Sequence, residues 1–161
     1  MPSGGMDRQQ YLSTKFGSED NANSVYQRIA DEGEKNKIFF QFNKIAKTPN
    51  SFLSHKLLAY AHNKNKQTKV LELLFYKYFI EGEDIGSVNV LINAAKDADI
   101  YDENIEKYII SEKDNDSLLN EEKHAKNIGI NSVPCFIFNK KIVVNGAQST
   151  KDFIQIIESL N

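Results

Sequence analysis

Apolar positions recur at helical spacing along most of the chain and change to strand-like runs only near the C-terminal end. The spacing over 7–16 predicts a short helix, closed by Gly17, which takes a left-handed C′ conformation without steric cost. Ser18 or Asp20 caps a second helix, whose inward positions are Ala22, Val25, Ile29 and Gly33. Ile38-Phe39-Phe40-Gln41-Phe42 is apolar but short and predicts a buried extended segment. Thr48-Pro49-Asn50 stops the chain, because proline lacks a donor and biases its predecessor away from helix. Asn50 or Ser51 then begins a helix with Leu53, Leu57, Tyr60 and Ala61 on one face. The stretch 69–80 is apolar nearly all round, which predicts a helix buried on most sides at the centre of a cluster. Ser87 caps a helix that turns Val88, Leu91 and Ala95 inward. Ile105, Tyr108 and Ile109 mark another, supported by Glu103 and Lys107 in i,i+4 order. A longer, more polar helix over 115–128 is stopped by Gly129.

After Gly129 the period changes. Residues 133–138 read as a strand, Asn139-Lys140-Lys141 as a tight turn and Ile142-Val143-Val144 as the return strand, with Gly146 ending the hairpin. Ser149-Thr150-Lys151-Asp152 is a capping signature, and Phe153, Ile156, Ile157 and Leu160 form the apolar face of a last helix. The consecutive apolar residues of both strands suit a sheet interior covered on both faces. A lone hairpin is marginal in water, and it would leave the Pro134 strand with an apolar edge open to pairing. Two expectations follow. Either the chain is a truncated or mis-started part of a longer protein, or a second copy fills the edge in a homo-oligomer.

Composition narrows the function classes. Of the 161 residues, 40% are hydrophobic and 26% charged, near the globular average, so a packed core is expected rather than disorder. A net charge of -2 and a pI near 5.9 argue against nucleic-acid and membrane-surface partners. The basic residues are almost all lysines, Arg8 and Arg28 being the exceptions. The one cysteine, Cys135, rules out an internal disulfide within these residues. The N-terminal residues lack the basic and apolar regions of a signal peptide, and no apolar run reaches membrane-span length, so a cytoplasmic location is expected. No metal site or cofactor is expected either. His55, His62 and His124 form no His-x-x-x-His or His-Glu-x-x-His pattern, and one cysteine does not complete a zinc site. The carboxylates at Asp97, Asp99, Asp102, Glu103, Asp114 and Asp116 suit solvated helix ends.

Candidate site residues gather around Pro134. A proline here commonly begins an ordinary edge strand. Cys135 reads either as a thiol beside a substrate groove or as a small buried apolar residue, and the base rate for free cysteines favours the second. His55 stands near the start of a helix, where it reads either as facing a pocket or as an ordinary surface histidine, the latter favoured.

Several blocks, taken together and in order, resemble one family. They are Gly5-Met6-Asp7-Arg8 with Lys15-Phe16-Gly17; Thr48-Pro49-Asn50 with His55-Lys56-Leu57; Leu74-Phe75-x-x-Tyr78-Phe79-x-Glu81-Gly82-x-Asp84-Ile85; and Gly129-Ile130-x-x-Val133-Pro134-x-Phe136-x-Phe138-Asn139 followed by Val144-x-Gly146-Ala147-Gln148. The chain resembles the FrnE-type branch of the DsbA family across essentially its whole length. The resemblance implies an α/β, thioredoxin-like fold that is incomplete. It would be mostly helical, with a large helical insertion over roughly 7–110 and a C-terminal hairpin and helix. The domains expected are 1–110 for the insertion and 111–161 for the C-terminal part of the thioredoxin-like domain.

The resemblance also implies a cis bond before Pro134, with Ser132, Val133 and Pro134 offering backbone groups to an extended substrate segment. The substrate would be a thiol- or disulfide-containing protein or small molecule. Family members open with a strand, a Cys-x-x-C at a helix N-terminus and a second strand. Here Pro2-Ser3-Gly4-Gly5-Met6-Asp7 resembles the linker that follows that unit, and no residue matches either active-site cysteine. No catalytic residue is therefore carried over, and dithiol exchange by this chain is expected to be weak or absent. Kappa-class glutathione transferases and 2-hydroxychromene-2-carboxylate isomerases share the helix-inserted architecture and give a second reading. A non-catalytic binding module is the third.

Overall fold

A computed structural model describes residues 1–160. The chain divides into two compact units, Met1–Asn115 and Asp116–Asn161.

The first unit is helical. Asp7 ends a short strand, β1 (Met6–Asp7), and caps α1 (Arg8–Phe16) by accepting the Gln10 N–H at 3.0 Å. Gly17 closes α1 in the left-handed region at φ 79°, donating its N–H to the Ser13 carbonyl. The Ser18 hydroxyl caps α2 (Glu19–Lys35). Ala22 and Gly33 are buried on its inner face. Gly33 must be glycine here, because a Cβ would meet the Phe40 ring at 2.6 Å.

The 38–42 segment is not a strand. It runs irregularly into a 3-10 turn (Phe42–Lys44), with Ile38 and Phe39 exposed while Phe40 and Phe42 pack inward. Its backbone bonding goes to the Phe79 carbonyl through the Gln41 N–H, not to a sheet. A second short strand, β2 (Lys47–Thr48), pairs antiparallel with β1.

Four helices follow: α3 (Phe52–His62), α4 (Gln67–Tyr76), α5 (Val88–Asp97) and α6 (Ile105–Ile110). Their core is Leu57, Ala61, Val70, Leu74, Leu91, Ala94, Ala95, Ala98, Ile100, Ile105 and Ile109. The small residues Ala61, Ala94, Ala95 and Ala98 let the helices approach closely, while leucine and isoleucine supply most of the apolar area removed from water.

The expectation that 69–80 is buried nearly all round is corrected. Val70, Leu74 and Tyr78 point inward, but Leu71, Phe75 and Tyr76 are exposed. The helices beside this segment cover one face, and apolar density in the sequence does not create a second cover. α4 passes directly into a π-helical turn (Lys77–Glu81), ended by Gly82 at φ 78°. That turn buries Lys77, whose ammonium lies 3.2 Å from Asp97, 3.6 Å from Glu83 and 3.7 Å from Glu81. Burial works against the charge there, yet the surrounding carboxylates hold the Lys77 pKa above its ordinary value.

The second unit holds α7 (Asn115–Asn127, whose first residue belongs to the first unit), β3 (Cys135–Phe138), β4 (Ile142–Asn145) and α8 (Thr150–Glu158). β3 and β4 form an antiparallel hairpin in the register Cys135 opposite Asn145 and Phe138 opposite Ile142. Its loop is three residues long, Asn139 to Lys141, with Asn139 at φ 48°, Lys140 at φ 59° and the Lys141 N–H on the Phe138 carbonyl at 2.9 Å. Two positive φ values make the Phe138–Lys141 turn type I′, with Lys141 as one further residue before the ladder begins at Ile142.

The hairpin is covered on one face, not on both as its apolar runs suggested. Phe136 and Phe138 pack on Phe153 of α8, with ring centroids 4.7 and 6.1 Å apart. On the other face the opposed pair Ile137 and Val143 is 42% and 49% exposed within the described residues. α8 is held at its start by a reciprocal capping box. The Ser149 hydroxyl accepts the Asp152 N–H at 3.2 Å, and the Asp152 carboxylate accepts the Ser149 N–H at 3.3 Å.

Candidate functional site

The site is built by the end of α7, the loop that follows and the start of β3. Gly129 takes φ 86° and donates to the Lys126 carbonyl at 3.0 Å, and Ile130 donates to the Ala125 carbonyl at 3.0 Å. This paired closure is a Schellman motif; it satisfies the last carbonyls of the helix and reverses the chain. Asn131 reaches back to the Gly129 carbonyl through its side-chain amide at 3.2 Å.

Ser132 and Val133 come next, and both are exposed, Val133 at 87%. Neither has a hydrogen-bond partner for its backbone N–H or C=O among the described residues. The Val133–Pro134 peptide bond is cis. The Pro134 carbonyl then accepts the Gly146 N–H at 2.8 Å, which fixes the parity of the ladder.

That parity decides which backbone groups remain open. In an antiparallel pair, hydrogen-bonded and non-hydrogen-bonded residues alternate. Pro134 bonds toward β4, so Phe136 opposite Val144 and Phe138 opposite Ile142 are the bonded pairs. Cys135 and Ile137 then turn their N–H and C=O groups toward the outer edge of β3, where the described residues supply no strand. The result is an exposed loop, Ser132 to Pro134, continuous with an unpaired row of alternating donors and acceptors. An extended peptide strand is the chemical complement of such a row.

The remaining candidates are placed as follows. Cys135 is half-buried at the first position of β3, on the same face as Ile137 and opposite the face covered by α8. It is the only cysteine in the sequence, so no second thiol accompanies it within these residues. His55 lies on the exposed side of α3, in the other unit. The sequence reading named this loop as its candidate and did not reach the outward backbone groups of Cys135 and Ile137. The signal for them is a parity, visible only once one hydrogen bond of the ladder is known. Among the described residues, no group of three or more His, Cys, Asp or Glu is arranged to hold a metal ion, and no helix is long and apolar enough to cross a membrane.

A family model for the DSBA-like thioredoxin domain matches residues 1–158. No curated protein matches the sequence. Among solved structures, a probable DsbA oxidoreductase from Streptomyces coelicolor is similar, with a TM-score of 0.84 at 18% sequence identity. The match covers 96% of this chain and 67% of that one.

Proposed function

The chain belongs to the family of DSBA-like thioredoxin domains, and from that premise we propose that the Ser132–Pro134 loop and the outer edge of β3 bind an extended segment of a thiol- or disulfide-bearing substrate by strand addition. The family is one of thioredoxin-fold oxidoreductases, and this chain contributes the substrate-holding part of that chemistry. The observation that carries the reading is the row of unpartnered backbone groups running from Ser132 and Val133 to the outward N–H and C=O of Cys135 and Ile137. Each main-chain bond made there contributes about 0.5–1.5 kcal/mol net. Side chains of the bound segment gain from the exposed apolar surface of Ile137 and Val143.

The 161 residues contain a single thiol, so they hold no dithiol to cycle. Thiol–disulfide exchange needs an attacking thiolate and a second thiol to resolve the mixed disulfide. The chain by itself therefore binds such substrates without turning over disulfides. The FrnE-type branch fits this reading through the ordered blocks from Gly5 to Gln148.

Ile137→Pro tests it. Proline removes the donor that faces the free edge and leaves the β3–β4 bonds of Phe136 and Phe138 in place, and edge strands tolerate proline at such positions. An extended, cysteine-containing peptide with its thiol blocked is titrated by amide NMR. In the wild type the Val133, Cys135 and Ile137 amides shift and become protected from exchange. In the variant binding weakens by about tenfold, as expected for the loss of main-chain bonds worth about 1.4 kcal/mol. Shifts confined to the α8 face, or equal binding by the variant, would overturn the proposal. An insulin-reduction assay on the same chain should show no turnover above that of free thiol; dithiol-like rates would refute the non-cycling part.

A further inference from the structure

Arg8 stands at the first position of α1, and its side chain turns into the protein, with only 8% of the residue exposed. The guanidinium lies 4.6 Å from the centre of the Tyr26 ring. Its Nη1 donates to the Thr48 and Tyr78 hydroxyls, both at 3.4 Å. Both partners are neutral. Burial raises the Tyr78 phenol pKa, with Arg8 opposing it, so Tyr78 stays protonated in the neutral range. The ion pairs among the described residues are all made by lysines, and none involves Arg8. Nε and Nη2, the two nitrogens that form the side-on fork of a guanidinium, have no hydrogen-bond partner among the described residues.

A guanidinium does not lose its proton in a protein. A largely buried charge is normally accompanied by pairing, yet no carboxylate lies within ion-pair distance of this guanidinium, and its free nitrogens are open to solvent rather than sealed in the protein. Arg8 also lines a cavity of about 460 Å³, within the range of small-molecule pockets. The apolar part of the wall is Leu12, Tyr26, Phe42 and Ile45. Asp7 and Glu19 also line it, and both are exposed. Their charges repel a doubly charged anion about twice as strongly as a singly charged one. The planar fork suits carboxylate and phosphate alike, so the choice of a monocarboxylate rests on the Asp7 and Glu19 charges, which oppose the more highly charged anion.

We propose that this cavity is a binding site for a small organic monocarboxylate, whose carboxylate accepts two hydrogen bonds from Nε and Nη2 of Arg8 and whose apolar body rests on Leu12, Tyr26, Phe42 and Ile45. The site lies wholly in the first unit and does not depend on the strand-addition reading of the second.

The arginine content makes the test direct. The chain has only Arg8 and Arg28, so a spectrum of arginine side-chain Nε–H groups holds two signals. Arg28, exposed and bonded to the Ser24 carbonyl, is the internal control, and Arg28→Lys assigns the pair by removing its signal. Benzoate is titrated against benzamide, which has nearly the same shape and no charge, and against inorganic phosphate at matched ionic strength. The expected result is a saturable shift of the Arg8 signal with benzoate alone, while Arg28 stays in place. Arg8→Lys keeps the charge but loses the fork, and followed through the amide signals of residues 8–12 it should weaken benzoate binding by about tenfold. If that variant does not fold, the wild-type titration still decides. An unmoved Arg8 signal, equal movement of both arginines, movement with benzamide, or a stronger response to phosphate would each overturn the assignment.

Discussion

Lys56 is fully buried in α3, with 0% of the residue exposed, and it ties that helix to the end of the first unit. Its ammonium donates to the Ser111 carbonyl, to the Lys113 carbonyl at 2.9 Å and to Asn115 Oδ1 at 2.9 Å, and it lies 5.2 Å from the centre of the Tyr108 ring. Lys56→Met keeps most of the aliphatic volume and removes every donor. The Ser111 and Lys113 carbonyls then lose a buried partner, at about 1–3 kcal/mol each. Against this stands the relief of no longer burying an ammonium. Burial pushes the Lys56 pKa below its ordinary value, against the pull of Asp114, so this relief is real. The balance is a loss of about 2–4 kcal/mol, near the lower end of what breaking a buried polar contact costs. With a urea m-value of about 2 kcal/mol per M, the unfolding midpoint should fall by about 1–2 M at constant m. Amide exchange should speed up first over residues 111–115, because their carbonyls lose the clamp. A midpoint shift below about 0.3 M would refute the reasoning, since it would mean that desolvation of the ammonium cancels all of its hydrogen bonds.

Two further outcomes follow from local geometry. Lys140→Gly relieves a non-glycine residue at φ 59° in the type I′ turn, and should stabilise the hairpin by about 0.5–1 kcal/mol, read as slower amide exchange in β3 and β4; faster exchange would contradict the turn assignment. Asp102 accepts from Lys64 at 2.8 Å and from Tyr60 at 2.6 Å, and these bonds lower its pKa to about 2. A lowered carboxylate pKa means stability that is complete above the unfolded value of 3.8 and is lost as pH falls through about 2. The stability difference between wild type and Asp102→Asn, measured by urea unfolding across pH, should therefore be flat above about pH 5 and shrink below it; a difference independent of pH down to 2 would refute the assignment.

Helix ends were readable in the sequence because their chemistry is local. Ser18 and Ser149 each bond an N–H three residues on, and Gly17 and Gly129 take the left-handed turn that closes a helix, while Ser87 stands at its cap position without a side-chain bond. Burial was less readable because it depends on what lies across the fold. Phe75 and Tyr76 have the composition of core residues yet are exposed, while Lys56 has the composition of a surface residue and is buried. Its carbonyl partners come from residues 55 and 57 positions away, which no periodicity marks. The two-residue ladder of β1 and β2 is equally hidden. It joins positions about 40 apart in sequence and is too short to show alternation.

The hairpin was legible and its open edge was half legible, and the reason lies in one residue. Six apolar or weakly polar positions in a row say that a strand passes through 133–138, but a continuous run carries no parity, so it cannot tell the covered face from the bare one. Proline carries that parity, because it has no N–H to give. Pro134 sits where a donor would point toward β4, and its carbonyl still holds Gly146 at 2.8 Å. The missing donor is thus lost from the inner ladder at its very end, where one bond is least important. The outer row, Cys135 and Ile137, keeps every N–H and C=O. Had the proline stood one position later in the same frame, the missing N–H would have broken the outer row at its first member; bonding direction and side-chain face alternate with the same period of two. Strand addition at this edge and packing of the hairpin on α8 therefore rest on the same even–odd assignment, and an exchange measurement that finds Cys135 and Ile137 protected in the free chain would remove both at once.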